Sequence, residues 1–256
     1  NADGSIPAYT GGITAAPAGY SAGDHHPDPY PGDQVLFEIT GQNYKEYADF
    51  LSDGQKKLFE TYPDTYRMPV YESRRSASNP QFVYDATKAN ATRASLIESG
   101  NGIKGAATGI PFPVPQNGLE AIWNHILRYR GQAVQRFGGQ AAVTSSGDYN
   151  LIGFDEKLLI KYSNENAKPE ELEEDNILFF FKQKITEPAR LAGDILLVKE
   201  TVDQVKEPRE AWKYNTGRKR LNRVPQIAYD TPGTEADGLR TTDDFDMYNG
   251  SPDRYN

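Results

Sequence analysis

The chain has 256 residues, 25% of them charged and 11% aromatic, with 28 Lys and Arg set against 36 Asp and Glu for a net charge of −8. That acidity argues against nucleic acid and anionic membrane surfaces as partners. With no cysteine there is no disulfide, thiol nucleophile, cysteine metal site or, within this segment, acylated lipoprotein cysteine, and no apolar run approaches the ~20 residues of a membrane-spanning helix.

Residues 1–42 are rich in Gly, Pro, Ala and Asp, show little periodicity and read as an extended arm. Within it, Asp24-His25-His26-Pro27-Asp28 holds the chain's histidine pair. Imidazole with carboxylate suits zinc or copper, but adjacent histidines project in different directions and prolines crowd the segment, so a turn is the plainer reading. NYKEYADFLSDGQKKLFETYP predicts two short helices broken at Leu51-Ser52, with Ser52 capping the second and Pro63 stopping it. MPVY is an extended piece and RRSASNP a loop. Asp85 is expected to cap a helix through ATKANATRASLIES, ended by Gly100 and Gly102. The sequon Asn90-Ala91-Thr92 falls inside that helix, where glycosylation is not expected.

GIPFPVPQNGLEAIWNHILRYRG follows. Pro111, Pro113 and Pro115 make Ile110–Pro115 a stiff extended strap, because proline fixes φ and pushes its predecessor toward extended backbone. Asn117 reads as the N-cap of a helix to Arg130, with Glu120 in capping-box position. Leu119, Ile122, Trp123, Ile126 and Leu127 form one apolar helix face. The strap is expected to cross the rim of a sheet and lock this helix against its concave face, with Phe112 buried and sharing a side with Pro115. His125, one position off the apolar face, reads as a hydrogen-bonded boundary residue rather than a general base.

From Tyr129 the period changes to two. QAVQRF, YNLIGFDEKLLIKYS, NILFFFKQKITEP, ARLAGDILLVKETVDQVKEP and REAWKYNTGRKRLNRVPQIAYD all favour strands. Ile152, Phe154, Leu158, Ile160 and Tyr162 share one parity, while Asp155, Lys157 and Lys161 hold the other. Ser145–Asp148 and Asn215–Arg218 are predicted hairpin turns, and Asn164–Asp175 an acidic loop. Its run of Glu170, Glu171, Glu173, Glu174 and Asp175 lacks the spacing of a calcium loop. The basic cluster Arg218, Lys219, Arg220 and Arg223 could meet a lipid headgroup or an acidic partner; a solvated hairpin is the plainer reading. Helices first and a strand meander after them mean an α+β fold, helices packed on one face of a curved antiparallel sheet. The parts are an arm at 1–42, a helical segment at 43–130 containing the strap 110–115, and the sheet at 131–256, together one domain.

Two stretches are apolar on both strand parities. Ile177, Phe179 and Phe181 take one face and Leu178 and Phe180 the other; Ile195–Val198 repeats this. Full burial of each side chain is worth ~1.5–3 kcal/mol, so both faces need cover. Helices and the arm supply it in one reading, a bound hydrophobe or a partner protein in the other.

GIPFPVPQNGLEAIWNHILRYRG, YPDTYRMPVYESRRSASNPQFVYDATKANATRA and KEPREAWKYNTGRKRLNRVPQIAYDTP resemble an exported Gram-negative family of unknown function, DUF1329. That family is similar to outer-membrane lipoprotein-sorting proteins and to the lipoprotein carriers of the Lol system. The pattern at Trp212, Tyr214, Arg220, Arg223 and Val224 is the part shared most widely. The resemblance implies a strongly curved, incomplete antiparallel barrel wrapped around helices. It also implies a signal peptide in the precursor and a periplasmic location. On the same grounds the chain is expected to be part of a longer protein whose sheet continues past residue 256.

With the doubled strand apolarity, the resemblance points to a carrier or chaperone for a hydrophobic small molecule or acyl chain. Trp123, Phe179, Phe181, Ile195, Leu197 and Trp212 would line the site. The alternative is an accessory subunit of an envelope export system that binds a protein partner and no small ligand. Neither G-x-S-x-G, a Walker loop nor H-E-x-x-H occurs, so no catalysis is expected, and no metal or cofactor.

Overall fold

A computed structural model describes residues 8–21, 23–224, 227, 231–233 and 238–241. The chain forms two compact units, Asn1–Ser78 and Asn79–Asn256. The boundary thus falls inside the segment 43–130.

In the first unit, β1 (Phe37–Thr40) pairs antiparallel with β2 (Arg67–Val70). Pro69 is tolerated in a two-stranded ribbon because both strands are edges. Between them lie a 3₁₀ helix, Tyr44–Phe50, and α1 (Asp53–Thr61). Ser52 caps α1 reciprocally: Gln55 N–H donates to its hydroxyl at 3.3 Å, and its own N–H donates to the Gln55 side chain at 2.9 Å. Ile39, Leu51 and Phe59 form a small core lined by Tyr44, Tyr47 and Tyr66. Tyr44 stacks on Phe59 at 5.5 Å and Tyr66 tilts against it at 4.7 Å. The described residues among 8–36 carry neither helix nor strand; Ile13 N–H donates to Ser76 at 2.8 Å, and Arg74 pairs with Asp33 and lies 4.1 Å over the Tyr30 ring. Residues 1–7 of the expected arm lie outside the described residues. Asp24 and Asp28 accept from the Ser21 and Tyr30 amides at 2.9 and 2.8 Å. These are turn-forming bonds beside exposed histidines.

In the second unit α2 spans Gln81–Asn90. It starts before Asp85, which sits inside it and accepts from the Gln81 side chain at 2.9 Å. It also stops short of the expected end. Asn90 is wholly buried, donating to the Ala107 carbonyl at 3.0 Å and accepting from its N–H at 3.3 Å. The residues expected to continue the helix turn instead into β3 (Ser95–Ile97), paired with β4 (Gly102–Lys104).

The strap has neither helix nor strand geometry, and its two apolar side chains part company: Phe112 is 8% exposed and Val114 76%. Pro111, not Pro115, shares the buried side with Phe112; Pro115 is exposed. The Asn124 side chain holds both backbone groups of Phe112, accepting from its N–H at 2.9 Å and donating to its carbonyl at 2.6 Å. That clamp joins the strap to α3 (Gly118–Ile126), which is shorter than expected. Asn117 caps α3, accepting from the Glu120 N–H at 2.9 Å, while the Glu120 carboxylate reaches back to the Gln116 N–H at 2.6 Å.

Among the described residues the main sheet is a six-stranded antiparallel meander in the order β10-β9-β8-β7-β6-β5, with β5 and β10 as its open edges. The strands are β5 (Ala133–Val143), β6 (Tyr149–Ile160), β7 (Phe179–Glu187), β8 (Ile195–Glu200), β9 (Glu210–Asn215) and β10 (Arg220–Val224). The strand expected through Asp230 is described to Val224; residues 225–226 and 228–230 lie outside the described residues. A register shift at Gly153/Phe154 on β6 faces Gly138 and Gly139 on β5, and the Phe154 ring fills the space over Gly138.

The expected acidic loop contains a short helix, α4 (Pro169–Asp175), which buries Leu172. Leu172 joins Phe112, Trp123, Ile160, Tyr162 and Leu178 in the main core. These residues lie where β6 ends and β7 begins. The strap, α3 and α4 therefore close one end of the sheet rather than packing along its face.

Candidate functional site

Strand register sorts one face of the sheet into rows. Val134, Leu158, Phe181, Val198, Ala211 and Val224 are successive cross-strand partners from β5 to β10. This apolar row crosses all six strands, a span of about 24 Å at the usual interstrand spacing. Two residues along, ~7 Å away, runs a polar row on the same face: Arg136, Glu156, Gln183, Leu196, Lys213 and Asn222. A cavity of about 430 Å³ lies over both, lined by all of the apolar row but Ala211 and all of the polar row but Asn222.

The carboxylates that line the cavity are committed. Glu156 is 2% exposed; Arg136 pairs with it, and the Gln183 amide donates to its other oxygen at 2.8 Å. Glu200, also buried, accepts from Arg209 Nε at 2.6 Å. Asp194 accepts from the Asn215 amide at 3.1 Å and the Thr216 N–H at 2.8 Å. Leaving any of these buried groups unmatched would cost about 1–3 kcal/mol. Cations are more plentiful: Arg130, Arg136, Arg209, Lys213 and Arg240 all line the cavity. Burial, reinforced by Arg128 and Arg136, pushes the Arg130 guanidinium down to about 10. Lys213 has no carboxylate partner among the described residues.

Three of the residues proposed for the site line this cavity: Phe179, Phe181 and Ile195. Trp123 does not. It is 1% exposed in the closed core, with its indole N–H donating to the Gly100 carbonyl at 2.9 Å. Leu197 and Trp212 are direct partners of each other, and their register parity puts them on the opposite face from Phe181 and Val198. The six therefore do not form one constellation. Glu156, Gln183, Glu200, Arg136 and Lys213 were missed. A signal existed for Glu156, which shares the parity of Phe154 and Leu158 and so is a charge in an apolar slot.

The other candidates resolve as structure. His125 is half-buried, and its Nε2 has no hydrogen-bond partner among the described residues, so the expected hydrogen bond is absent there. Burial, then Arg128 and Arg130, holds its pKa below the ordinary histidine value. The acidic run is dispersed around α4 by separate partners: Glu171 with Lys168, Asp175 with Lys161, and Glu173 with the Gly105 N–H. Arg223 pairs with Glu210 at 2.6 Å, and Arg218, Lys219 and Arg220 are exposed in and beside the β9–β10 turn. No group of three or more His, Asp or Glu able to hold a metal gathers among the described residues. No helix among them is long and apolar enough to cross a membrane.

Sequence comparison bears on the whole chain. The profile of DUF1329, described as a protein of unknown function, matches residues 38–256. The uncharacterized protein PA3922 of Pseudomonas aeruginosa is 51% identical over 255 residues, covering 100% of this chain and 56% of that protein. The chain thus spans little more than half the length of the relative it matches. No solved structure matches it. The chain belongs to the DUF1329 family.

Proposed function

We propose that this chain is a non-enzymatic carrier or chaperone for a hydrophobic ligand, a lipid, acyl chain or lipoprotein-like cargo, in the periplasm of a Gram-negative envelope. The observation that carries this reading is the unbroken apolar row from Val134 to Val224 beneath a cavity of about 430 Å³. Ligand sites are typically concave, mostly apolar and fitted with a few placed polar groups, and this face has that make-up. The bulge at Gly153/Phe154 facing Gly138 and Gly139 is the kind of device that bends a sheet, in keeping with a curved, Lol-like carrier. A non-enzymatic role fits the commitment of Glu156, Glu200 and Asp194 to internal partners.

Native mass spectrometry of the chain purified from a Gram-negative host tests this, together with uptake of a fluorescent hydrophobe. A co-purifying amphiphile and saturable uptake are expected. A chain that is repeatedly empty and takes up no probe rejects the reading.

The β5–β6 hairpin favours a second reading, the accessory subunit of an export system. Phe137, Val143, Tyr149 and Leu151 are exposed there, and β5 is an open edge. Exposed apolar residues in a cluster mark association surfaces. A photo-crosslinker at Phe137 should then capture a resistance-nodulation-type exporter or an outer-membrane channel protein in cells; its absence from the adducts counts against the idea.

A further inference from the structure

The chain as a whole is acidic, yet its cavity is lined by five cations and three carboxylates. Each carboxylate is held inside the protein: Glu156 by Arg136 and Gln183, Glu200 by Arg209, and Asp194 by Asn215 and Thr216. Lys213 differs from the paired cations. It is half-buried on β9, its cross-strand neighbours are Leu196 and Asn222, and no carboxylate among the described residues lies within ion-pair distance. A half-buried lysine with no carboxylate at hand leaves its ammonium available to an anion that enters the cavity it lines. At the far side of the same cavity, burial and two neighbouring guanidiniums depress Arg130. Burial is the larger cause, so the depression marks this far side as the enclosed end of the cavity.

Geometry supplies the rest. Lys213 stands in the polar row, one row from the apolar file that starts at Val224 beside it and ends at Val134 on β5. Asn222, its partner on β10, is exposed, so this end of the row meets water. We propose that the groove binds an anionic single-chain amphiphile. Its carboxylate or phosphate head meets the Lys213 ammonium and the Asn222 amide, and its alkyl chain runs across the strands over Val198, Phe181 and Leu158. The proposal rests on the hydrophobic-ligand reading above and adds the head group, the residue that selects it and the direction of the chain.

The test compares dodecanoate, dodecyl phosphate and dodecanol as competitors of a fluorescent naphthylamine probe bound to the full chain. The alkyl chain is constant, so the ratio of anion to alcohol affinity isolates the head. Either or both anions should bind about tenfold more tightly than the alcohol, as a charge-assisted hydrogen bond provides. The preferred anion identifies a carboxylate or a phosphate head. Lys213→Gln should bring the ratio to within about twofold of unity. Lys182→Gln removes the same charge from the opposite face and should leave the ratio at the wild-type value. Equal affinity for all three competitors overturns the head-group assignment while leaving the hydrophobic-ligand reading intact. A ratio that survives Lys213→Gln overturns the assignment to Lys213. Failure of all three to displace the probe overturns both.

Discussion

The two ends of the apolar chemistry in the second unit use the same residue types in different company. Where β6 stops and β7 starts, Phe112, Trp123, Tyr162 and Leu178 are covered by the strap, α3 and α4. Three polar side chains there are held by backbone: the Trp123 indole on Gly100, the Tyr162 hydroxyl on Gly109 at 2.6 Å, and the Asn124 amide on Phe112. On the open face, Leu158, Phe181 and Val198 lie beside side-chain ion pairs, with cavity space above them. Hydrophobicity alone does not separate a core from a site. What separates them is whether neighbouring polar groups are fixed to backbone or face a space.

One pair of substitutions should show the difference between the two regions most clearly. Phe112→Ala is a core deletion and should cost about 3–5 kcal/mol in urea unfolding. Phe181→Ala, half-buried over the cavity, should cost only about 1 kcal/mol while weakening hydrophobe binding about tenfold. Equal stability losses with unaltered binding would erase the distinction between the two regions. Next comes the polar row. Arg136→Gln leaves the Glu156 carboxylate buried without its ionic partner and should cost about 1–3 kcal/mol. Glu156→Gln, which leaves only a half-exposed guanidinium behind, should cost less. Denaturation midpoints measured side by side decide the order.

Tyr162 reports on the closed end through pH. Burial, only partly offset by Arg93, holds its phenol well above the ordinary tyrosine value. An acid whose pKa is raised in the fold binds more protons folded than unfolded near and above pH 10. Its contribution is thus complete below about pH 10 and is lost as pH rises further. Tyr162→Phe should cost about 1 kcal/mol at neutral pH and flatten the alkaline fall in stability, measured as melting temperature against pH. The smallest effect belongs to the face away from the cavity: Trp212→Phe should leave hydrophobe affinity unchanged by titration, because Trp212 lies on the opposite parity from Phe181.

How much of this was legible in the sequence differs by element. The meander and its hairpins were, because alternation at Ile152–Ile160 and the turns after Val143 and Asn215 are local signals. The burial of Phe112 was legible too, but not its companion, since Pro111 rather than Pro115 shares that side. The end of α2 was not, because it is decided by a bond from Asn90 to Ala107, distant in the chain. Nor was α4, whose acidic residues hide the one leucine that anchors it. The site was half legible for a single reason. Alternation shows which residues of one strand share a side, but not which sides of neighbouring strands coincide. A one-residue change of register moves a whole strand's side chains to the other face. That is how Leu197 and Trp212 were grouped with Phe181; Glu156, by contrast, could be read from the parity of its own strand.

The burial of Asn90 has a practical consequence for anyone producing this protein. A eukaryotic secretory host transfers glycans to N-x-Thr sites on the emerging chain, before an α2 helix can dock. A sugar on Asn90 would occupy the space now filled by Ala107 and Ile110 and displace both amide bonds to residue 107. Occupancy at that site therefore acts as a stopwatch on folding: glycosylated chains are those that folded too slowly, and they should be retained rather than secreted. Thr92→Ala removes the acceptor signal at the exposed end of the triplet, where the hydroxyl makes a local bond to Ala89. It should raise secreted yield in such a host and leave yield in bacteria as it was.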